Sequence, residues 1–178
     1  LNRAGLIEEI VDAIEAEVDH TGAAQVCTLG HSMGGFAALV IPAYTHVDVA
    51  VAMSPQYAAD PAVVPTESRW ADYRAAIPVY RVSNAADHIV AGCQYYVFFG
   101  RHPREAVQRE LAQAHENLEL YVMPGTHHNT PQRMKAAGVL DLVINACFAG
   151  KQRVLNKTMG KTLQARRIAV AETGSGAE

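Results

Sequence analysis

The chain has 178 residues, 15 Lys and Arg against 18 Asp and Glu for a formal net charge of -3, and a composition that is 49% hydrophobic. That balance suits one globular domain with a substantial core, and its slight acidity argues against general attraction to nucleic-acid phosphates. No run approaches the roughly 18 to 20 apolar residues of a membrane span. Three scattered cysteines, Cys27, Cys93 and Cys147, form neither a disulfide framework nor a CxxC metal motif, and free thiols fit a reducing, cytoplasmic compartment.

From Leu6 to Val18, the apolar residues Ile7, Ile10, Val11, Ile14 and Val18 recur at helical spacing while Glu8, Glu9, Asp12, Glu15 and Glu17 take the other face. This predicts an amphipathic helix, stopped at Thr21-Gly22. Gln25 to Leu29 is a short apolar run without alternation, as in a parallel strand buried on both faces. A second helix follows the Gly30 to Gly35 turn and ends before Pro42. Val47 to Met53, Ile77 to Val82 and Leu118 to Met123 read as further strands. Helices are predicted over Ser68 to Ala76, from Pro103 through Val107 and Leu111 to His115, and from Pro131 to Phe148. Strands alternating with helices imply an α/β domain over residues 1–150, a parallel sheet with helices on both faces. After Gly150 the chain turns basic, through Lys151, Arg153, Lys157, Lys161, Arg166 and Arg167, and Glu172 to Glu178 is rich in Gly, Ser and Ala. Residues 151–178 therefore read as a basic surface helix running into a disordered tail.

The chemically informative stretch is Gly30-His31-Ser32-Met33-Gly34, a GxSxG pattern between a predicted strand and a predicted helix. A tight strand-to-helix turn strains the serine backbone and needs glycines where any Cβ would collide, so Ser32 would project its hydroxyl above the sheet as a nucleophile. A serine hydroxyl needs a base, and the base an orienting acid. The loop Ser83 to Val90 after the predicted strand at Val82 supplies Asp87, for which a helix cap is the competing role. The loop after Met123, Pro124-Gly125-Thr126-His127-His128-Asn129, supplies two histidines. Loops beyond the C-terminal ends of parallel strands share one rim, which would bring these groups together. A metal site from His88, His127 and His128 is disfavoured because adjacent histidines point apart and no HxxxH spacing exists.

Order and motifs together resemble the C-terminal half of the α/β-hydrolase fold, over roughly residues 5 to 148. The resemblance implies a serine hydrolase acting on a small ester or thioester through an acyl-enzyme, with Ser32 as nucleophile, Asp87 as acid, His128 as base (His127 the alternative), the Met33 N–H as an oxyanion donor, and no cofactor or metal. Asp87-His88-Ile89-Val90 is similar to the family's acid loop, and Gly125 to Asn129 to its histidine loop. The strands that precede the elbow helix in that family, and the second oxyanion donor they supply, have no counterpart. This suggests a hydrolase truncated at its N-terminus, whose elbow strand would be an exposed edge prone to self-association. A non-catalytic hydrolase-like interaction module is the alternative. Ser54-Pro55-Gln56 is similar to a segment of some bacterial hydrolase-like proteins, and Tyr57, Trp70 or Tyr73 would either shape an open pocket or, equally, lie in the core; the Tyr95 to Phe99 run is expected in the core.

Overall fold

The structure, a computed structural model, describes residues 6–112 and 115–168. Its centre is a five-stranded sheet in the order β1 (Cys27–His31), β2 (Val49–Met53), β3 (Gln94–Gly100), β4 (Leu118–Met123) and β5 (Arg166–Ile168). The first four strands are parallel and β5 pairs antiparallel with β4. The order of the strands in the sheet is their order along the chain, so each parallel crossover moves the chain one place outward.

Because side chains alternate across a strand, β2 sends Ala50 and Ala52 to one face and Val49, Val51 and Met53 to the other. The first face is covered by α1 (Leu6–Thr21) and α2 (Met33–Val40), through Ile7, Phe36, Leu39 and Val40. The second is covered by α5 (Thr130–Ala136), α6 (Leu140–Phe148) and α7 (Gln152–Leu163), through Met134, Val143, Cys147, Leu155 and Met159. Two short helices, α3 (Ala71–Ala75) and α4 (Ala106–Arg109), lie in the connections on either side of β3. The inner strands β2, β3 and β4 are almost wholly apolar because both faces are covered, whereas β1, expected to be buried on both faces, is only partly buried and leaves Leu29 exposed. Among the described residues no helix is long and apolar enough to cross a membrane.

Several expectations need correction. Ile77 to Val82 is not a strand: Pro78 offers no N–H to a ladder, Val79 is 67% exposed, and the segment runs as irregular connection. The strand between β2 and β4 is the aromatic run, Gln94–Gly100, with Tyr95, Phe98 and Phe99 fully buried. The helix expected from Pro131 to Phe148 is broken in two where Gly138 adopts a left-handed φ of 69°. The helix entered by Pro103 is a 3-10 turn, Pro103–Glu105, followed only by α4. The basic segment after Gly150 is not simply a surface helix: Leu155, Met159 and Leu163 of α7 are buried in the second core, and Arg166–Ile168 extends the sheet. The tail from Glu172 to Glu178 lies outside the described residues.

Candidate active site

At the end of β1 the chain turns directly into α2, and the residue at the turn, Ser32, sits at φ 57° and ψ -117°, a conformation a side chain rarely adopts. Its backbone is pinned: the Ser32 N–H donates to the Met53 carbonyl at 3.0 Å, and the Ser32 carbonyl accepts from Phe36 at 3.1 Å and Gln56 at 3.2 Å. Of the two glycines of the pattern only Gly30 is sterically required, since a Cβ on Gly34 would meet open space, and the second crowded position is Gly35. A Cβ on Gly30 would overlap the Gly34 carbonyl, and one on Gly35 would lie 3.0 Å from Pro55. Pro55 and Gln56 of the Ser-Pro-Gln segment thus pack against the serine turn from the next strand end. The Met33 N–H, at the first position of α2, is among the helix N-terminal donors that have no intrahelical acceptor.

Beyond β4, the loop through Gly125 (φ 60°) delivers His128, whose Nε2 is 2.8 Å from Ser32 Oγ. The loop is held from several sides. The His128 carbonyl accepts from the Thr130 N–H at 3.0 Å and faces His31 Nε2 at 3.1 Å, while Ser54 Oγ lies 3.1 Å from Thr130 Oγ1. The His31 and His128 rings are tilted neighbours with centroids 4.9 Å apart. His127 does not reach the serine. It is exposed and stacks on His102 at 3.9 Å.

The other imidazole nitrogen, His128 Nδ1, has two neighbours, and neither was anticipated from the sequence. Glu105 Oε2 lies at 3.2 Å and Arg69 Nη1 at 2.8 Å. Glu105 is 2% exposed, in the 3-10 turn just past the end of β3. Burial pushes its carboxyl pKa up, but the His128 hydrogen bond and the Arg69 charge outweigh burial and hold it below the usual carboxylate range. Asp87, by contrast, is exposed in a 3-10 turn, Ala85–His88, whose cap is the Asn84 side chain accepting from the Ala86 N–H at 3.0 Å. It is neither beside His128 nor a cap. The difference follows from the strand correction: Glu105 lies beyond β3, one connection later than the loop that follows Ile77 to Val82.

Arg69 joins two carboxylates. It donates to Glu67 through Nε at 2.9 Å and Nη2 at 2.5 Å, and to Glu105 Oε1 through Nη1 at 3.0 Å. Glu67 also accepts from the fully buried Gln108 at 3.1 Å. Burial raises the Glu67 pKa, yet the bonds from Arg69 and Gln108 bring it down to about 2. The loop carrying these groups is fixed from below by Arg74, which is 6% exposed and donates to the carbonyls of Ala59, Val64 and Glu67.

Two cavities flank this constellation. One, of about 510 Å³, is lined by the charged and polar residues Glu67, Arg69, Glu105, His102, His127 and His128. The other, of about 520 Å³, opens beside Met33 and Gly34 and is lined by Phe36, Gln56, Trp70, Tyr73 and Ile77. Trp70 (φ 59°) and Tyr73 are 51% and 71% exposed, with their rings in edge contact at 5.8 Å. Of the three aromatics, Tyr57 takes the core role, wholly buried and stacked on Phe99 at 6.2 Å. Among the described residues no cluster of three or more His, Cys, Asp or Glu side chains is arranged to hold a metal ion. No family model matches the chain, and no curated protein matches it significantly.

Proposed function

We propose that this chain carries the nucleophile, base and acid of an α/β-hydrolase-like serine hydrolase, acting on a small carboxylic ester or thioester through an acyl-enzyme. The observation that carries the reading is the line Ser32 Oγ, His128, Glu105, with 2.8 Å on the serine side and 3.2 Å on the acid side. With a proton on Nδ1 donated to ionised Glu105, His128 offers a bare Nε2. That nitrogen takes the Ser32 proton as Oγ attacks the carbonyl carbon, and returns it to the departing alcohol or thiol; water then repeats the sequence on the acyl-enzyme. The Met33 N–H, at the positive end of α2, is the donor this reading assigns to the tetrahedral oxyanion. The apolar cavity beside Met33 suits the acyl group, with Trp70 and Tyr73 offering flat apolar surface to it.

The test is covalent labelling by a fluorophosphonate together with turnover of a short activated ester. Wild type should label at Ser32. Ser32→Ala should lose labelling and turnover by about 1,000-fold or more, because the members of such a relay act as a unit. Labelling of Ser32→Ala at the wild-type rate would reject the assignment. Absence of labelling in folded wild type would favour a non-catalytic module.

A further inference from the structure

His128 Nδ1 can bear one in-plane proton, and its two neighbours ask for opposite things of it. Glu105 Oε2, an ionised acceptor at 3.2 Å, is satisfied only if Nδ1 is protonated. Arg69 Nη1, a donor with no acceptor capacity, is 2.8 Å away and is satisfied only if Nδ1 is bare. The shorter of the two contacts is the arginine's, and the guanidinium cannot readily turn aside, because Glu67 grips its Nε and Nη2 together and Glu105 Oε1 holds the same Nη1 at 3.0 Å. A bare Nδ1 places the ring proton on Nε2, pointing at Ser32 Oγ 2.8 Å away. In that tautomer the serine accepts a hydrogen bond and finds no base.

We infer that Arg69 is a positioning residue that holds resting His128 in the Nε2–H tautomer, so that the site is self-restrained until a proton moves from Nε2 to Nδ1 and Glu105 takes over as its partner. The restraint, as a control on catalysis, rests on the serine-hydrolase reading; the tautomer itself does not. The groups facing His128 are Ser32 and His31 from the end of β1, Arg69 with Glu67 behind it from the loop before α3, Glu105 from the turn after β3, and His127 beside it in its own loop. Of these Arg69 is the only donor without acceptor capacity at Nδ1. The cavity lined by Arg69, Glu105 and His128 gives solvent a route for the proton exchange.

Long-range nitrogen–carbon NMR of the histidine rings in full-length protein reads the tautomer directly, with His128→Gln used to assign the signals. In neutral wild type, His128 should show a protonated Nε2 and a bare Nδ1. In the charge-balanced variant Glu67→Gln/Arg69→Met, which removes the guanidinium together with the carboxylate it pairs, the proton should move to Nδ1. Labelling by a fluorophosphonate, per folded molecule, should then rise about tenfold at neutral pH, the effect of one pKa unit of tautomer bias. A protonated Nδ1 in wild type, an unchanged tautomer in the double variant, or, where wild type labels, a labelling rate that stays level or falls would overturn the inference. Failure of the hydrolase reading looks different: wild type and double variant would differ in tautomer as described, yet neither would label at Ser32.

Discussion

Glu67 is 7% exposed, and its carboxyl pKa of about 2 lies well below the ordinary 4.5. Because the unfolded chain binds this proton more readily than the folded one, the stability Glu67 contributes is present above about pH 4.5 and drains away as the pH falls toward 2. Glu67→Gln should cost about 3 kcal/mol near neutral pH, since it strands much of the Arg69 charge, and should make the acid loss shallower than in wild type. Urea unfolding measured at neutral and at acid pH checks both; parallel losses in the two proteins would contradict the ion-pair account. Neither Glu67 nor Arg69 was legible in the sequence, where Glu67-Ser68-Arg69 looks like any polar loop. What makes them part of the site is Gln108, distant in sequence, which together with Arg74 hydrogen-bonds to the loop. The strained serine turn was legible because its requirement is local: it announces itself by the glycines around Ser32.

Strand β3 decides where the acid falls. Its last residue, Gly100, meets the histidine loop so closely that a Cβ there would overlap the carbonyls of Thr126 and His127. Backbone cannot yield as a flexible side chain does, so Gly100→Ala should displace the loop bearing His128 and the turn bearing Glu105 together. We expect a stability loss of about 1–3 kcal/mol, typical of overpacking, and a labelling rate at least 100-fold lower, since a misplacement of about 1 Å can cost that much. Thermal unfolding and fluorophosphonate kinetics on the same sample test this; a stable variant labelling at the wild-type rate would contradict it. Glycine at this position is readable, but its purpose is not, because an aromatic run without alternation reads as core and does not announce a strand. It is both: a central parallel strand covered on two faces shows no alternation, and Tyr95 to Phe99 lacks the proline that should have demoted Ile77 to Val82.

At the scale of the molecule, four parallel strands in chain order deliver three loops to one rim: the turn after β1 with Ser32, the turn after β3 with Glu105, and the loop after β4 with His128. The alternation of strands and helices on both faces was legible from periodicity, and so was the sharing of a rim; which strand fed which loop was not, since that depends on tertiary partners. β1 lies at the edge of the sheet with Leu29 49% exposed, in keeping with the edge expected for the elbow strand. The central claim is that Glu105, not Asp87, completes the relay from Ser32 through His128. The measurement that reaches it most directly is the fluorophosphonate labelling rate of Glu105→Gln beside Asp87→Asn, each shown to be folded. Glu105→Gln should slow labelling by roughly 100- to 10,000-fold, because the imidazolium formed in the reaction loses its ionised partner. Asp87→Asn should label as wild type does. The opposite ranking, with Asp87→Asn slow and Glu105→Gln unimpaired, would contradict the account.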